Sequence, residues 1–150
     1  MSTLQKRQSC KDLVYKKYVS RLVDLHAASD YFSIEKDSAR AAHDSHKDLK
    51  HFEDYYDYIN QTGLSFDFVP ANLSTFPACG YWRWQLSTGG PGDEFRIYTD
   101  IEKNIDRIEY VYLDWFDSAT HKIENIPAPL AEAVAWFLEC SSYDQEGREI

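Results

Sequence analysis

Residues 81–100 read "YWRWQLSTGGPGDEFRIYTD". Two tryptophans and two arginines surround a run of small turn formers. A phosphate-cradling loop needs Gly-x-Gly-x-x-Gly between a strand and a helix, or a P-loop ending in Gly-Lys-Ser/Thr. "STGGPGDE" has neither spacing and no lysine. Both flanks alternate at period two, the mark of strands with one face buried. In 81–87, Trp82, Trp84 and Leu86 oppose Tyr81, Arg83 and Gln85. In 94–99, Phe95, Ile97 and Thr99 oppose Glu94, Arg96 and Tyr98. Glycines between alternating runs supply the backbone freedom of a hairpin connection. The stretch is therefore expected to turn a sheet.

The neighbouring text extends that sheet. "RIEYVYLDWF", 107–116, is rich in β-formers and predicts a longer strand. Breaks this short exclude parallel crossovers, which need a dozen or more residues. An antiparallel meander follows, with "LSFDFV", 64–69, as a candidate fourth strand. Pro70 and Pro77 bracket an irregular segment after it.

Helices are expected at both ends. In 12–28, Val14, Tyr18, Leu22 and Leu25 form one stripe of a 3.6-residue cylinder. A second helical region over 30–61, broken near Ser45, carries Ala42, Leu49, Phe52, Tyr56 and Ile59 on its apolar side. Gly63 suits its stop, and the two regions would pack as an antiparallel hairpin. A last helix over 129–140 starts on Pro129 and buries Leu130, Ala133, Val134, Phe137 and Leu138. The polar tail beyond it is expected to fray. The fold class is thus α+β in one domain: an N-terminal helical hairpin, a three- to four-stranded antiparallel meander over about 64–116, and a C-terminal helix.

Composition narrows the function classes. The 150 residues carry a net charge of −9, which argues against nonspecific nucleic-acid binding. Residues 1–21 nevertheless hold six cations against one acid, Asp12. A basic first helix on an acidic body can dock on a partner, dock on its own body, or simply be solvated. No apolar run approaches the length of a membrane span, and no secretory signal is visible. Cys10, Cys79 and Cys140 show no C-x-x-C spacing, so reduced thiols in a cytoplasmic protein are expected. Aromatics at 15% raise the weight of a binding face.

Catalytic and metal constellations are thin. His43 and His46 stand at i, i+3, the minimum for a two-histidine metal site, but Lys47 and Lys50 crowd them with positive charge. "YLDWFDSATHKI" holds Ser118, His121 and Asp117 without a nucleophile elbow, and a turn made by Asp117 and Ser118 accounts for them, with His121 in it. Glu94 and Asp114 would suit general acid–base work only if the sheet brought them together. No cofactor, metal or catalytic residue is assigned.

The polar strand faces are more informative. Pairing 81–87 with 94–99 sets Tyr81, Arg83, Glu94, Arg96 and Tyr98 on one surface. Register decides which side of 107–116 joins them, either Tyr110, Tyr112 and Asp114 or Glu109, Val111, Leu113 and Trp115. Tyr81, Arg83, Glu94, Arg96, Tyr98 and Asp114 form the expected contact set, because arginine and tyrosine concentrate at interface hot spots. Trp82, Trp84, Phe95 and Ile97 are the expected core.

"GGPGDEFRIYTD" followed by "RIEYVYLDWFDSA" resembles small proteins carried on plasmids, phages and integrative elements. The resemblance covers about 37 residues and implies a noncatalytic accessory protein, of the antirestriction or anti-CRISPR kind, that binds and inhibits a host defence complex. A small enzyme or ligand-binding domain that clamps an anionic substrate on the same arginines is the alternative. A homodimer built through the aromatic sheet is a third option.

Overall fold

The computed structural model describes residues 8–71 and 80–141. The expectations for Pro77, Cys79 and the polar tail at 142–150 lie outside these residues. The chain runs through α1 (Cys10–Phe32), α2 (Asp37–Ala41), α3 (His46–Leu49), α4 (Tyr55–Gln61), β1 (Ser65–Val69), β2 (Tyr81–Ser87), β3 (Gly92–Thr99), β4 (Ile105–Asp114), β5 (Asp117–Ile123) and α5 (Ala128–Cys140). The sheet order is β1-β2-β3-β4-β5, antiparallel throughout. This is the expected α+β meander with one strand more.

Helix α1 starts before residue 12 because Ser9 caps it. The Asp12 amide donates to Ser9 Oγ and the Ser9 amide donates back to the Asp12 carboxylate, a reciprocal cap. The second arm of the expected hairpin is not one helix. It is three short helices, and its polar half explains why. "EKDSARAAHDSHKD" has no continuous apolar side to pack. His46 instead meets the Tyr31 hydroxyl at 2.8 Å through Nδ1, and His43 Nδ1 accepts the Ser45 amide at 3.0 Å. Both histidines serve the fold of this loop. Leu49, Tyr55 and Ile59 are the anchors that reach the core. Helix α4 gives way at Gly63, whose φ is +84°. A β-carbon there would sit 2.8 Å from the Gln85 carbonyl, so only glycine permits the approach to β2.

Strand alternation sorts the side chains onto two faces. Phe66, Phe68, Trp82, Trp84, Leu86, Phe95, Ile97, Ile108 and Tyr110 face the helices, and α5 closes over the β1–β2 end. The Phe137 ring meets Phe66 at 4.8 Å and Trp84 at 5.0 Å, while Tyr18 meets Phe95 at 6.4 Å and Tyr110 at 5.8 Å. Each buried indole satisfies its N–H: Trp82 on Thr99 Oγ1 at 3.2 Å, and Trp84 on the Thr62 carbonyl at 3.3 Å. The four residues expected as core are buried.

Strand β5 corrects the turn expected at Asp117–His121. Ala119, His121 and Ile123 turn toward α1 while Ser118, Thr120 and Lys122 turn away, an alternation masked by the turn formers at its start. The turn lies one step earlier. Strand β4 ends at Asp114, and Trp115 and Phe116 form a two-residue connection. Trp115 adopts φ +56°, a position such turns usually give to glycine. Its indole lies against Gly90, where any β-carbon would collide with it.

Replacing Trp84 by alanine removes a ring packed against Phe95 and Phe137. The expected loss is about 3–5 kcal/mol, read from the urea unfolding midpoint.

Candidate functional site: the polar face of the sheet

The register fixes the face turned away from the helices as three cross-strand rows. The central row is Asp67, Arg83, Arg96, Glu109 and Lys122, one residue from each strand. On one side of it Gln85, Glu94, Val111 and Thr120 follow in line. On the other side Arg107 stands opposite Tyr98, whose ring lies 5.8 Å from that of Tyr81.

Arg83 and Arg96 are direct cross-strand partners, an arrangement that repels unless acids separate the charges. Each arginine has its own acid. Arg83 forks onto Asp67 with contacts of 2.8 and 3.2 Å. Arg96 Nε donates to Glu94 at 2.8 Å, and Arg107 Nε donates to Glu109 at 3.1 Å. Two of the guanidiniums also lie over phenol rings, Arg96 at 4.8 Å from Tyr81 and Arg107 at 3.8 Å from Tyr98. Hydrogen bonding to Asp67 holds the Arg83 pKa up against desolvation. Burial pushes the Tyr81 phenol up, with Arg96 pulling it the other way, so it stays a neutral donor. The outcome is a set of planar groups held in place by one another, in which Tyr81, Glu94 and Tyr98 are buried and the guanidiniums are part-exposed.

Five of the six expected contact residues meet here: Tyr81, Arg83, Glu94, Arg96 and Tyr98. Asp114 does not. It shares parity with Tyr110 and Tyr112 on the helix side, near the first turn of α1, where Asp117 accepts the Cys10 amide at 2.8 Å. Glu94 and Asp114 therefore lie on opposite faces and form no acid–base pair. Burial, then Asp117 and Asp114, push the Cys10 thiol up, which suits a packed thiol rather than a nucleophile. Glu109, Arg107 and Asp67 take the place of Asp114. The signal for Asp67 was its alternation in "LSFDFV", on the same parity that put Arg83 outward.

A second polar cluster lies under the sheet and was not anticipated. Asp93 is only 4% exposed. Its carboxylate accepts Arg21 Nε at 2.7 Å and Arg21 Nη2 at 2.8 Å, the Tyr110 hydroxyl at 2.7 Å, and the Ser87 hydroxyl. Burial alone would raise the Asp93 pKa, but bonds from Arg21, Ser87 and Tyr110 outweigh it and hold the carboxyl below its ordinary 3.8. A cleft of about 220 Å³ opens beside the cluster between Lys17, Arg21, Asp24 and Tyr112. Helix α1 thus spends Arg21 on its own body, and Lys17 lies 5.9 Å from the Tyr112 ring centre. Among the described residues no helix is long and apolar enough to cross a membrane. Comparison with protein-family models, curated proteins and solved structures gives no match.

The Asp93 shift has a sign that can be measured. A carboxyl whose folded pKa is depressed stabilises above its unfolded pKa and loses that contribution as pH falls through the folded value. Unfolding free energy is expected to drop as pH falls below about 4. Asp93→Asn should flatten that acid limb while lowering stability near neutrality, both read by urea titrations across pH.

Proposed function

We propose that this chain is a noncatalytic binding protein that engages a host protein complex through the arginines on the polar face of its sheet. The observation that supports the reading is the form of that face. An enzyme sinks its charged groups into a concavity with water excluded. Here the part-exposed guanidiniums of Arg83, Arg96 and Arg107 lie outermost, each held by a carboxylate, over a layer in which Tyr81, Glu94 and Tyr98 are buried. Such groups are pre-organised, so little side-chain freedom is lost when a partner covers them. Arginine is also among the side chains enriched at the energetic centres of protein interfaces. The net −9 charge steers the chain toward basic partners, including surfaces that otherwise hold nucleic-acid phosphates. Inhibition of a host defence complex, in the cytoplasm and in the service of a mobile element, is the function that fits these features.

The test is capture of partners from host lysate, followed by charge reversal. Arg83→Glu and Arg107→Glu sit at partly exposed ion pairs worth about 0–1 kcal/mol each, so the fold should survive. Recovery of the captured complex is expected to fall at least about tenfold, or roughly 1.4 kcal/mol. Unchanged recovery would remove this face from the interface.

A further inference from the structure

The outer edge of β5 lies beside an apolar row on α1. Tyr15, Val19 and Val23 repeat at i, i+4 and i+8 and remain 60%, 37% and 59% exposed. The helix runs alongside the strand. At one end the Cys10 amide meets Asp117, and further on the rings of Tyr15 and Tyr18 reach His121 at 5.1 and 4.8 Å. Strand β5 is also the last in the sheet. The two-residue connection at 115–116 makes Asp114 and Asp117 a hydrogen-bonded pair, and bonded positions then alternate. Ser118, Thr120 and Lys122 therefore aim their backbone N–H and C=O outward, where no described residue pairs with them.

We propose that a second copy of this chain adds to β5, antiparallel about a two-fold axis at Thr120, joining two five-stranded sheets into one. The strand is complementary to itself in that register. Thr120 faces the partner's Thr120, a favourable cross-strand pair, and Ser118 faces the partner's Lys122. No like charges meet. The other edge fails the same test: an axis through the middle of β1 would set Asp67 against the partner's Asp67.

The helix layer fits the same axis. Helix α1 straddles β4 and β5, since Tyr18 touches both Tyr110 and His121. With strands about 4.8 Å apart, a helix over that gap stands about 5 Å from the new axis. The two copies of α1 would then lie about 10 Å apart, the separation of helices in contact. Tyr15 and Val19 fill the space between them. The pairing covers an edge that natural sheets otherwise protect, and it carries the polar face across both copies without using it. It stands whether or not that face binds a host complex.

Size-exclusion chromatography with light scattering tests the proposal. Wild type is expected at twice the 17.5 kDa chain mass. Val19→Glu and Thr120→Glu each put like charges at the axis and should run as single chains, with unchanged far-UV circular dichroism. Hydrogen exchange gives an independent reading on the unaltered protein: the Ser118, Thr120 and Lys122 amides should be protected, and Val19→Glu should expose them. A wild type at the single-chain mass at all concentrations overturns the proposal. So does a dimer that both variants leave intact, or free exchange of those three amides.

Discussion

The four bonds to the Asp93 carboxylate hold the two layers of this protein in one arrangement. Asp93 belongs to β3, Ser87 to β2, Tyr110 to β4 and Arg21 to α1. A charge buried to this extent is tolerated only when its acceptors are filled. Filling them requires the hairpin, the third strand and the long helix to be in place together. Apolar packing alone would let α1 slide along the strands, since hydrophobic burial has little direction. A forked guanidinium on a fixed carboxylate has one geometry. The position of α1 over β4 and β5 follows from it, and so does the row of apolar groups that the helix turns away from the core.

The same strands then divide labour by parity. Indoles and phenylalanines point to the helices, while guanidiniums, phenols and acids point away. On the outer face the like charges of Arg83 and Arg96 stand opposite each other, and Asp67 and Glu94 compensate them as ion-pair partners. The face is electrostatically quiet in isolation and geometrically stiff.

Much of this was legible in the sequence because period-two alternation is a local signal. Trp82, Trp84, Phe95 and Ile97 announced the buried face, and Arg83 and Arg96 the opposite one, with no long-range information. What failed was whatever depended on register or on distant partners. Asp114 was grouped with the arginines, yet the pairing of Arg96 with Glu109 puts it on the helix side. The basic first helix could dock on a partner, dock on its own body or be solvated, and nothing local shows that Asp93 waits beneath Arg21, 72 positions away. Strand β5 was hidden by Asp117 and Ser118, which favour turns, while the actual turn falls on Trp115 and Phe116, which do not. Those two aromatics remain 79% and 106% exposed, a placement that composition would not suggest. The second helix of the expected hairpin dissolved into three short ones because its polar half had no surface to bury.

The most direct test is a double-mutant cycle at Arg21 and Asp93, using Arg21→Met, Asp93→Asn and the pair, followed by urea unfolding near neutral pH. If these side chains lock the helix layer to the sheet, the coupling energy should reach about 2–3 kcal/mol, and the double variant should be less destabilised than the two single losses together. Additive losses, with coupling within about 0.5 kcal/mol of zero, would show that α1 is held by apolar contacts alone and would contradict the account.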